Sequence, residues 1–429
     1  MRVALTTLGC RLNEAELENW GEKFQQLGHT ISTRPEEADV LVVNTCAVTR
    51  EAVKKSRQQI RKYHRVNPTA KLVVSGCYAS LEPGIEKEIE GIDLLVPNTS
   101  KDQLVEIVTE NIAESSMPKL AMEAQESPIF LRGRTRAFVK VQDGCRYRCT
   151  FCIVTRARGE ERSKSIGEII EKINRLCEQG VKEVVLTGVH IGGYGSDLNS
   201  SLFQLVQQVL QHTDIPRLRL GSVEPWDLGE EFPTLFENSR FMPHLHLPLQ
   251  SGSDTVLKRM ARRCKKKDFR LLLDNLRDNI TGFKASTDVI VGFPGETDAE
   301  WQESREFIES CQFSHVHIFS YSPREVTHAA GLSEQVSSKV KKSRARELAD
   351  IARAMKKNNM LSGIGQRHPV LLESEVTSTE NGTAYLGYTP NYMKIKLANP
   401  GTSCLKNSIC TVKLTGLDLE NELLIASLG

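Results

Sequence analysis

The chain has 429 residues, 39% hydrophobic and 26% charged, with a formal net charge of +2. That length exceeds one ordinary core and that balance excludes a disordered or fibrous polymer, so two or three soluble globular domains are expected. No apolar run approaches the ~20 residues that span a bilayer, and Met1-Arg2-Val3-Ala4-Leu5 leads into a strand rather than a signal sequence, which points to a cytoplasmic protein with no membrane partner.

The first segment alternates strand and helix. Arg2 to Thr7 is a short apolar run, and a helix from about Glu14 carries Leu17, Trp20, Phe24 and Leu27 at helical spacing until Gly28 stops it. Asp39 to Val43 is the next strand, followed by a basic helix through Lys54 to Tyr63, and Lys71 to Val74 is a third strand. Continuous apolar strands between helices imply a parallel sheet covered on both faces. Each strand ends alike, in Leu8-Gly9-Cys10, Asn44-Thr45-Cys46 and Ser75-Gly76-Cys77. In an open parallel sheet the ligand crevice lies at the carboxyl ends of the strands, so these three cysteines should converge on one edge. One buried cysteine at a strand end is ordinary core packing. Three in equivalent places point to a shared metal cluster on Cys10, Cys46 and Cys77.

From about Ser115 to Arg134 the composition turns polar, with Pro118 and Pro128, and reads as a linker. Ala137, Val139 and Val141 then alternate on one strand face and lead into Gly144-Cys145-Arg146-Tyr147-Arg148-Cys149-Thr150-Phe151-Cys152. Three of the eleven cysteines fall within eight residues here, and so odd and clustered a set argues for reduced or metal-bound thiols rather than disulfides. The spacing CxxxCxxC suits an iron–sulfur cluster better than structural zinc, which takes two separated pairs; a zinc knob with a distant ligand or chance clustering is the competing reading. Three thiolates on a four-iron cluster leave one iron open to a small molecule.

Downstream the alternation resumes. Ser165 and Glu168 form a capping box for a helix whose apolar stripe includes Ile169, Ile173, Leu176 and Cys177, and Thr297 and Glu300 form another. Strands are expected at Glu183 to Thr187, Arg217 to Ser222, His244 to Leu249, Ser286 to Val291 and His315 to Ser320. With the strand before the thiol loop they make six, enough for an incomplete TIM-like barrel with its site at the carboxyl face. Gly192-Gly193-Tyr194-Gly195 lacks the Lys-Ser/Thr of a phosphate loop and reads as a plain loop. His244 and His246 read as packed barrel residues, and Cys264, Cys311, Cys404 and Cys410 as structural. A polar helix from about Ser333 to Leu361 precedes four short β-like runs (Val370 to Leu372, Met393 to Leu397, Thr411 to Leu414, Glu422 to Ala426), expected to form a small β-barrel.

Positive charge is local. Thr255 to Arg270 carries a net +7 and Ser333 to Leu361 a net +5, whereas the tail from Gly365 has five basic and six acidic residues. A charge run is commonly a solvated helix face, but two on a nearly neutral chain suggest RNA phosphates as a partner.

The CxxxCxxC loop resembles that of the radical S-adenosylmethionine superfamily, whose open iron chelates the amino and carboxylate groups of S-adenosylmethionine and whose aromatic between the last two cysteines matches Phe151. The whole chain resembles the methylthiotransferases of that superfamily. The strings that carry the likeness are Asn44-Thr45-Cys46, Ala157-Arg158-Gly159 with Glu161-Arg162-Ser163, Leu247-Pro248-Leu249-Gln250-Ser251-Gly252, and Asp288 through Thr297. The resemblance implies a flavodoxin/Rossmann-like methylthiotransferase domain at 1–115, a linker at 116–134, a partial (β/α)6 radical core at 135–362 and a TRAM β-barrel at 365–429. It also implies two [4Fe-4S] clusters, contacts to S-adenosylmethionine from Phe151, Thr187, Gly188, Gln250, Ser251 and Gly292, a tRNA anticodon stem-loop as substrate, and an electron donor such as flavodoxin or ferredoxin. Thr7-Leu8-Gly9-Cys10-Arg11-Leu12-Asn13 and Cys46-Ala47-Val48-Thr49, with Lys55-Ser56-Arg57-Gln58, are like the branch that acts on N(6)-threonylcarbamoyladenosine. The alternatives are the isopentenyladenosine branch and a non-catalytic iron–sulfur RNA-binding protein. In the implied chemistry one S-adenosylmethionine gives a methyl group to sulfur on the first cluster. A second is cleaved reductively at Cys145, Cys149 and Cys152, and the resulting 5′-deoxyadenosyl radical takes hydrogen from C2 of adenine. No side chain is given a catalytic role, because the cofactors carry the chemistry. The chain departs from the family at Thr155-Arg156, at Cys264-Lys265, and at Val326 and His328, where Pro and an aromatic, Tyr-Thr, and Gly and Pro respectively are usual.

Overall fold

The computed structural model describes residues 1–82, 84–112, 135–378, 382–398 and 405–428, so the expected linker at 116–134 and Cys404 lie outside the described residues. The first sheet has five parallel strands, β1 (Arg2–Thr7), β2 (Thr30–Ser32), β3 (Val40–Thr45), β4 (Lys71–Gly76) and β5 (Leu94–Val96), in the order β2-β1-β3-β4-β5. That is the flavodoxin-like doubly wound order. The helices are α1 (Arg11–Gln26), α2 (Arg50–Val66), the short α3 (Cys77–Leu81) and α4 (Ile85–Glu88), and α5 (Leu104–Ile112). Alternate residues of β3 serve opposite faces: Val40 and Val42 pack with Trp20, Phe24 and Leu104, while Leu41 and Val43 pack with Ile60 and Tyr78. Burial on both faces is why the strand reads as an unbroken apolar run. The three-residue edge strands β2 and β5 were not foreseen, being too short to show a period. Helix α1 starts at Arg11, not Glu14, because Cys10 is already its extended N-cap.

The second unit contains β6 (Arg136–Lys140), β7 (Gln142–Asp143), β8 (Arg162–Ser163), β9 (Glu183–Thr187), β10 (Arg217–Leu220), β11 (His244–His246), β12 (Lys284–Val291) and β13 (His315–Ser320). Strands β6, β9 and β10 pair in parallel, as do β11, β12 and β13, and parallel bridges Leu218 to Phe241 and Ser222 to His246 join the two sets. Six parallel strands therefore form one arc, the partial TIM-like barrel expected; β7 and β8 make a two-residue antiparallel clip at the base of the thiol loop. The helices are α6 (Val154–Arg158), α7 (Ile166–Glu178), α8 (Leu202–His212), α9 (Asp254–Arg259), α10 (Lys266–Asn279), α11 (Asp298–Ser310) and α12 (Ser338–Leu361). Both capping boxes form. The apolar core lies between strands and helices, with Ile173, Val184, Leu218, Leu245, Phe269 and Val289 essentially sealed from solvent.

The tail closes into a five-stranded barrel, β14 (Arg367–Ser378), β15 (Gly382–Tyr388), β16 (Lys394–Ala398), β17 (Ser408–Asp418) and β18 (Leu423–Leu428), in the order β14-β15-β16-β18-β17. Strand β15 escaped the sequence reading because two glycines interrupt its pattern. A buried ionic joint fastens this barrel to the amino-terminal end of the arc. Glu183, at the start of β9, meets Arg136 at 2.5 Å, Arg217 at 2.8 Å and Arg219 at 3.0 Å. Arg217 and Arg219 then donate to the carbonyls of Tyr388 and Thr389 at 3.0 Å, and Arg136 pairs with Glu373 at 2.7 Å and lies over the Tyr388 and Tyr392 rings.

Candidate metal centre

The thiol residues of the first triad sit where three neighbouring strands stop. Thr7 pairs with Asn44 and Thr45 with Gly76, so Cys10, Cys46 and Cys77 leave the same edge of the sheet. Gly9 makes the approach feasible: its φ is +108°, and a methyl group there would lie 2.8 Å from both Cβ and Sγ of Cys46. Asn13 reaches back to the carbonyls of Leu8 at 2.7 Å and Thr45 at 3.3 Å, and its Oδ1 stands 3.7 Å from the Cys10 thiol. Asn98 Nδ2 stands 3.8 Å from Cys77 Sγ. Burial pushes the Cys46 thiol up, and the neighbouring Cys77 and Cys10 add to the effect.

The second triad occupies the loop that follows β7. Burial drives the Cys145 thiol up to about 11 and Cys152 to about 12, and raises Cys149 as well. Thiolates here therefore need a compensating positive charge, which a bound metal would supply. Around them, the Val154 amide donates to Cys152 Sγ at 3.4 Å and Arg262 Nη1 stands 3.9 Å from Cys149 Sγ. Arg262 is itself held by Glu224, at 2.9 and 2.5 Å, and by the Pro248 carbonyl at 2.7 Å. Three soft thiols, amide and guanidinium donors aimed at sulfur, and a partly buried loop fit an iron–sulfur cluster. Gly144 (φ +75°) must be glycine, since a methyl group there would fall 1.9 Å from the Glu160 carbonyl. Gly144→Ala is expected to cost the protein most of the iron bound at Cys145, Cys149 and Cys152, read by iron analysis and cluster absorbance after reconstitution.

One short helix connects the triads. Helix α6 begins just after Cys152 and packs on α3, which begins at Cys77; Ala157 lies in the core of the first sheet. Its last residue, Arg158, is 3% exposed and bonds Glu16 at 2.9 Å, Asp143 at 3.0 Å and Asn13 at 2.7 Å. Glu16 also meets Lys101 at 2.5 Å and Lys140 at 3.4 Å. Burial works against the Glu16 charge, yet Lys101, Arg158 and Lys140 hold its carboxyl well below the usual range. The Asn98 amide donates to the Ala157 carbonyl at 2.6 Å, so a residue beside Cys77 also grips α6. Sequence reading assigned no role to Glu16, Lys101, Lys140 or Asp143, and saw Arg158 only within a family-like string. A signal was present: Glu16 lies four residues before Trp20, within the apolar stripe of α1.

Five of the six expected S-adenosylmethionine contacts lie at carboxyl ends of the arc, and the sixth, Phe151, lies within the thiol loop. Thr187 ends β9 and Gly188 follows it against the Gln142 side chain. Gln250 has φ +72° and bridges Val289, and Ser251 is fully buried beside it. Gly292 follows β12 with φ +70°, its amide donating to Glu296 at 2.8 Å. Phe151 packs with Val256, Met260, Phe293 and Tyr321 beside the thiol loop. Elsewhere His246 meets Asp288 at 3.1 Å, and Gly192 and Gly193 form a single turn of 3-10 helix.

The basic runs are less free than their sequence suggests. In the first, Arg259 pairs with Glu300, Arg262 with Glu224 and Lys266 with Glu303; in the second, Arg344 pairs with Glu296 and Asp298, and Lys356 with Glu422. Exposed cations remain at Lys258, Arg263, Lys265 and Lys267, and at Lys339, Lys342 and Arg346. No helix among the described residues is long and apolar enough to cross a membrane.

Comparison with known proteins gives two family matches, "Uncharacterized protein family UPF0004" over residues 2–97 and "Radical SAM superfamily" over residues 139–308. The chain is 36% identical to the threonylcarbamoyladenosine tRNA methylthiotransferase MtaB of Bacillus subtilis, over 96% of this chain and 93% of that protein. It is 35% identical to the Thermotoga maritima protein of the same name, over 86% of each. With the tRNA-2-methylthio-N(6)-dimethylallyladenosine synthase of Anoxybacillus flavithermus it shares 32% identity over 92% of this chain and 77% of that one. Among solved structures, the radical S-adenosylmethionine methyltransferase TsrM of Kitasatospora setae, with cobalamin and a [4Fe-4S] cluster bound, has the same fold at a TM-score of 0.58 and 15% identity, covering 77% of each chain.

Proposed function

Because the chain belongs to the family of radical S-adenosylmethionine tRNA methylthiotransferases, we propose that it attaches a methylthio group to C2 of N(6)-threonylcarbamoyladenosine beside the tRNA anticodon. An iron–sulfur cluster and S-adenosylmethionine are its cofactors and tRNA its substrate. The observation that carries the finer reading is the linking of two thiol triads, one at the carboxyl ends of β1, β3 and β4 and one in the loop after β7, through a shared buried joint at Arg158. In this reading Cys10, Cys46 and Cys77 hold one [4Fe-4S] cluster and Cys145, Cys149 and Cys152 another, and the functional units are 1–115, 135–362 and 365–429. When bound, these groups supply reductive cleavage of S-adenosylmethionine to a carbon radical and a sulfur ready for transfer.

The chain's own residues bind, orient and exclude. Thr187, Gly188, Gln250, Ser251 and Gly292 offer backbone and hydroxyl groups where S-adenosylmethionine would lie, and Phe151 with Val256, Met260, Phe293 and Tyr321 keeps water from that side of the loop. Arg262, fixed by Glu224, holds positive charge against the Cys149 sulfur. The Asn13–Arg158–Glu16 contacts fix the first triad against the second, as a reaction drawing on both requires. The exposed Lys265 and Lys267 at the start of α10, with Lys339, Lys342 and Arg346 along α12, would hold tRNA phosphates.

The experiment is mass spectrometry of tRNA nucleosides after anaerobic incubation of reconstituted protein with S-adenosylmethionine, reductant and threonylcarbamoyladenosine-containing tRNA. A methylthio product on that nucleoside is expected; product only on isopentenyl-modified tRNA would move the chain to the other branch. Cys10→Ala should abolish the product and leave 5′-deoxyadenosine formation, while Cys145→Ala should abolish both. Full methylthiolation by Cys10→Ala would refute the paired-triad reading.

A further inference from the structure

The outer side of the CxxxCxxC loop opens to solvent through a cavity of about 290 Å³ whose wall includes Cys149 itself, with Arg146, Tyr147, Arg148, Trp226 and Arg263. The three arginines are exposed at the surface. Arg146 has a carboxylate only at 3.7 Å, from Glu161, and Arg148 and Arg263 have no ion pair among the described residues. The nearby acids are turned inward: Glu224 binds Arg262, Asp227 binds His190 and Tyr147, and Glu161 binds His190. The outward charge is therefore positive. The aromatic wall is interlocked, with Tyr147 edge-on to Trp226 at 5.5 Å, its hydroxyl accepting from the Trp226 indole at 2.8 Å, and Arg263 over the Tyr147 ring at 4.5 Å. Arg262 continues inward, 4.4 Å over Trp226 and 3.9 Å from the Cys149 sulfur.

We propose that this basic, aromatic-walled opening is the docking surface for an acidic one-electron carrier protein that reduces the centre at Cys145, Cys149 and Cys152. The inference rests on the function proposed above, in which that centre must be reduced at every turnover. In the step one electron leaves the reduced carrier and enters the cluster; the carrier is oxidised by one electron, and no bond or proton moves. Two features select this partner. Charge complementarity favours an acidic face and speeds its encounter. The opening also brings a carrier against a cluster ligand, from which a phosphate backbone would gain nothing.

The test uses a recombinant flavodoxin of net negative charge. Its affinity for the reconstituted full-length enzyme is measured by fluorescence titration at low and high salt, beside the variants Arg148→Glu, Arg263→Glu and the pair. Each reversal should weaken flavodoxin binding tenfold or more, with salt weakening the unmodified pair in the same direction. Flavodoxin-driven 5′-deoxyadenosine formation should fall in step, while dithionite-driven formation, iron content and tRNA affinity stay unchanged. Arg263 lies outside the thiol loop, so that variant keeps the test decisive if Arg148→Glu disturbs cluster assembly. Unchanged flavodoxin affinity in Arg263→Glu would overturn the proposal, as would a loss of tRNA affinity alone, which would make this face an RNA surface. Failure of the unmodified enzyme to cleave S-adenosylmethionine with dithionite would instead sink the functional reading, while the binding series would still report on docking.

Discussion

Arg158→Ala is expected to separate radical formation from methylthiolation. The guanidinium touches Asn13 and Glu16 on the side of the first triad and Asp143 beside the second, so its removal frees one triad to shift against the other. Misplacement by about 1 Å can cost about 10²-fold in a positioned reaction, and a loss of that order is expected in methylthio product per unit time. In the proposed reading, reductive cleavage of S-adenosylmethionine takes place at the Cys145 loop and does not draw on the first triad, so 5′-deoxyadenosine should accumulate without product in the same reaction. Stability should fall too, since breaking a buried charge network by removing one partner costs about 3–5 kcal/mol. Arg158→Lys keeps the charge but cannot span three acceptors, and should recover stability better than coupling. Parallel loss of both products in Arg158→Ala, at normal iron content, would mean that the residue serves cleavage rather than placement.

The second large effect is expected at the far end of the molecule. Glu183→Gln would leave Arg136, Arg217 and Arg219 buried without their shared carboxylate, again a cost of about 3–5 kcal/mol. Burial opposes the Glu183 charge, but Arg219, Arg217 and Arg136 bring its pKa down from 4.5 to about 2, whereas burial lowers Arg217 to about 10. The two shifts disagree in sign for stability because three guanidiniums compete for two carboxylates, Glu183 and Glu373. Burial lowers Arg217 and Arg219 while Glu183 and Glu373 raise Arg136 against its own burial, and the carbonyls of Tyr388 and Thr389 take up part of the excess charge. With a folded pKa below the unfolded one, the Glu183 contribution is complete above about pH 4.5 and is lost as pH falls toward 2. Acid titration followed by limited proteolysis should release the C-terminal barrel first, and Glu183→Gln should release it already at neutral pH. A variant as resistant as the unmodified chain would show that the aromatic contacts of Tyr388 and Tyr392 suffice.

Much of this architecture could be read from the sequence. The thiol positions were legible because strand ends converge in a parallel sheet, and the six strands of the arc because their apolar runs are long enough to show a pattern. The edge strands β2 and β5 were not, since three residues carry no period, nor was β15, where glycines break the alternation. The charge runs were legible but misleading in degree: Arg259, Arg262, Lys266 and Arg344 point at carboxylates from distant segments, a pairing that composition cannot show. The joints at Glu16 and Glu183 were missed for the same reason. Each is a charge at a position whose neighbours in sequence are apolar, Glu16 in the stripe of α1 and Arg217 and Arg219 alternating with leucines in a buried strand, and the compensating groups come from up to about 170 residues away.

The two triads differ in how far the chain must fold before their sulfurs can meet. Cys145, Cys149 and Cys152 close loops of a few residues, whereas Cys10, Cys46 and Cys77 are separated by 36 and 31 residues and meet only once β1, β3 and β4 are in register. Loop closure costs more entropy over the longer spans, and contacts between distant residues form later. If both triads take iron as proposed, it should enter the compact loop early in folding and the strand-end triad last, so that occupancy of Cys10, Cys46 and Cys77 would report whether the whole first sheet has been assembled.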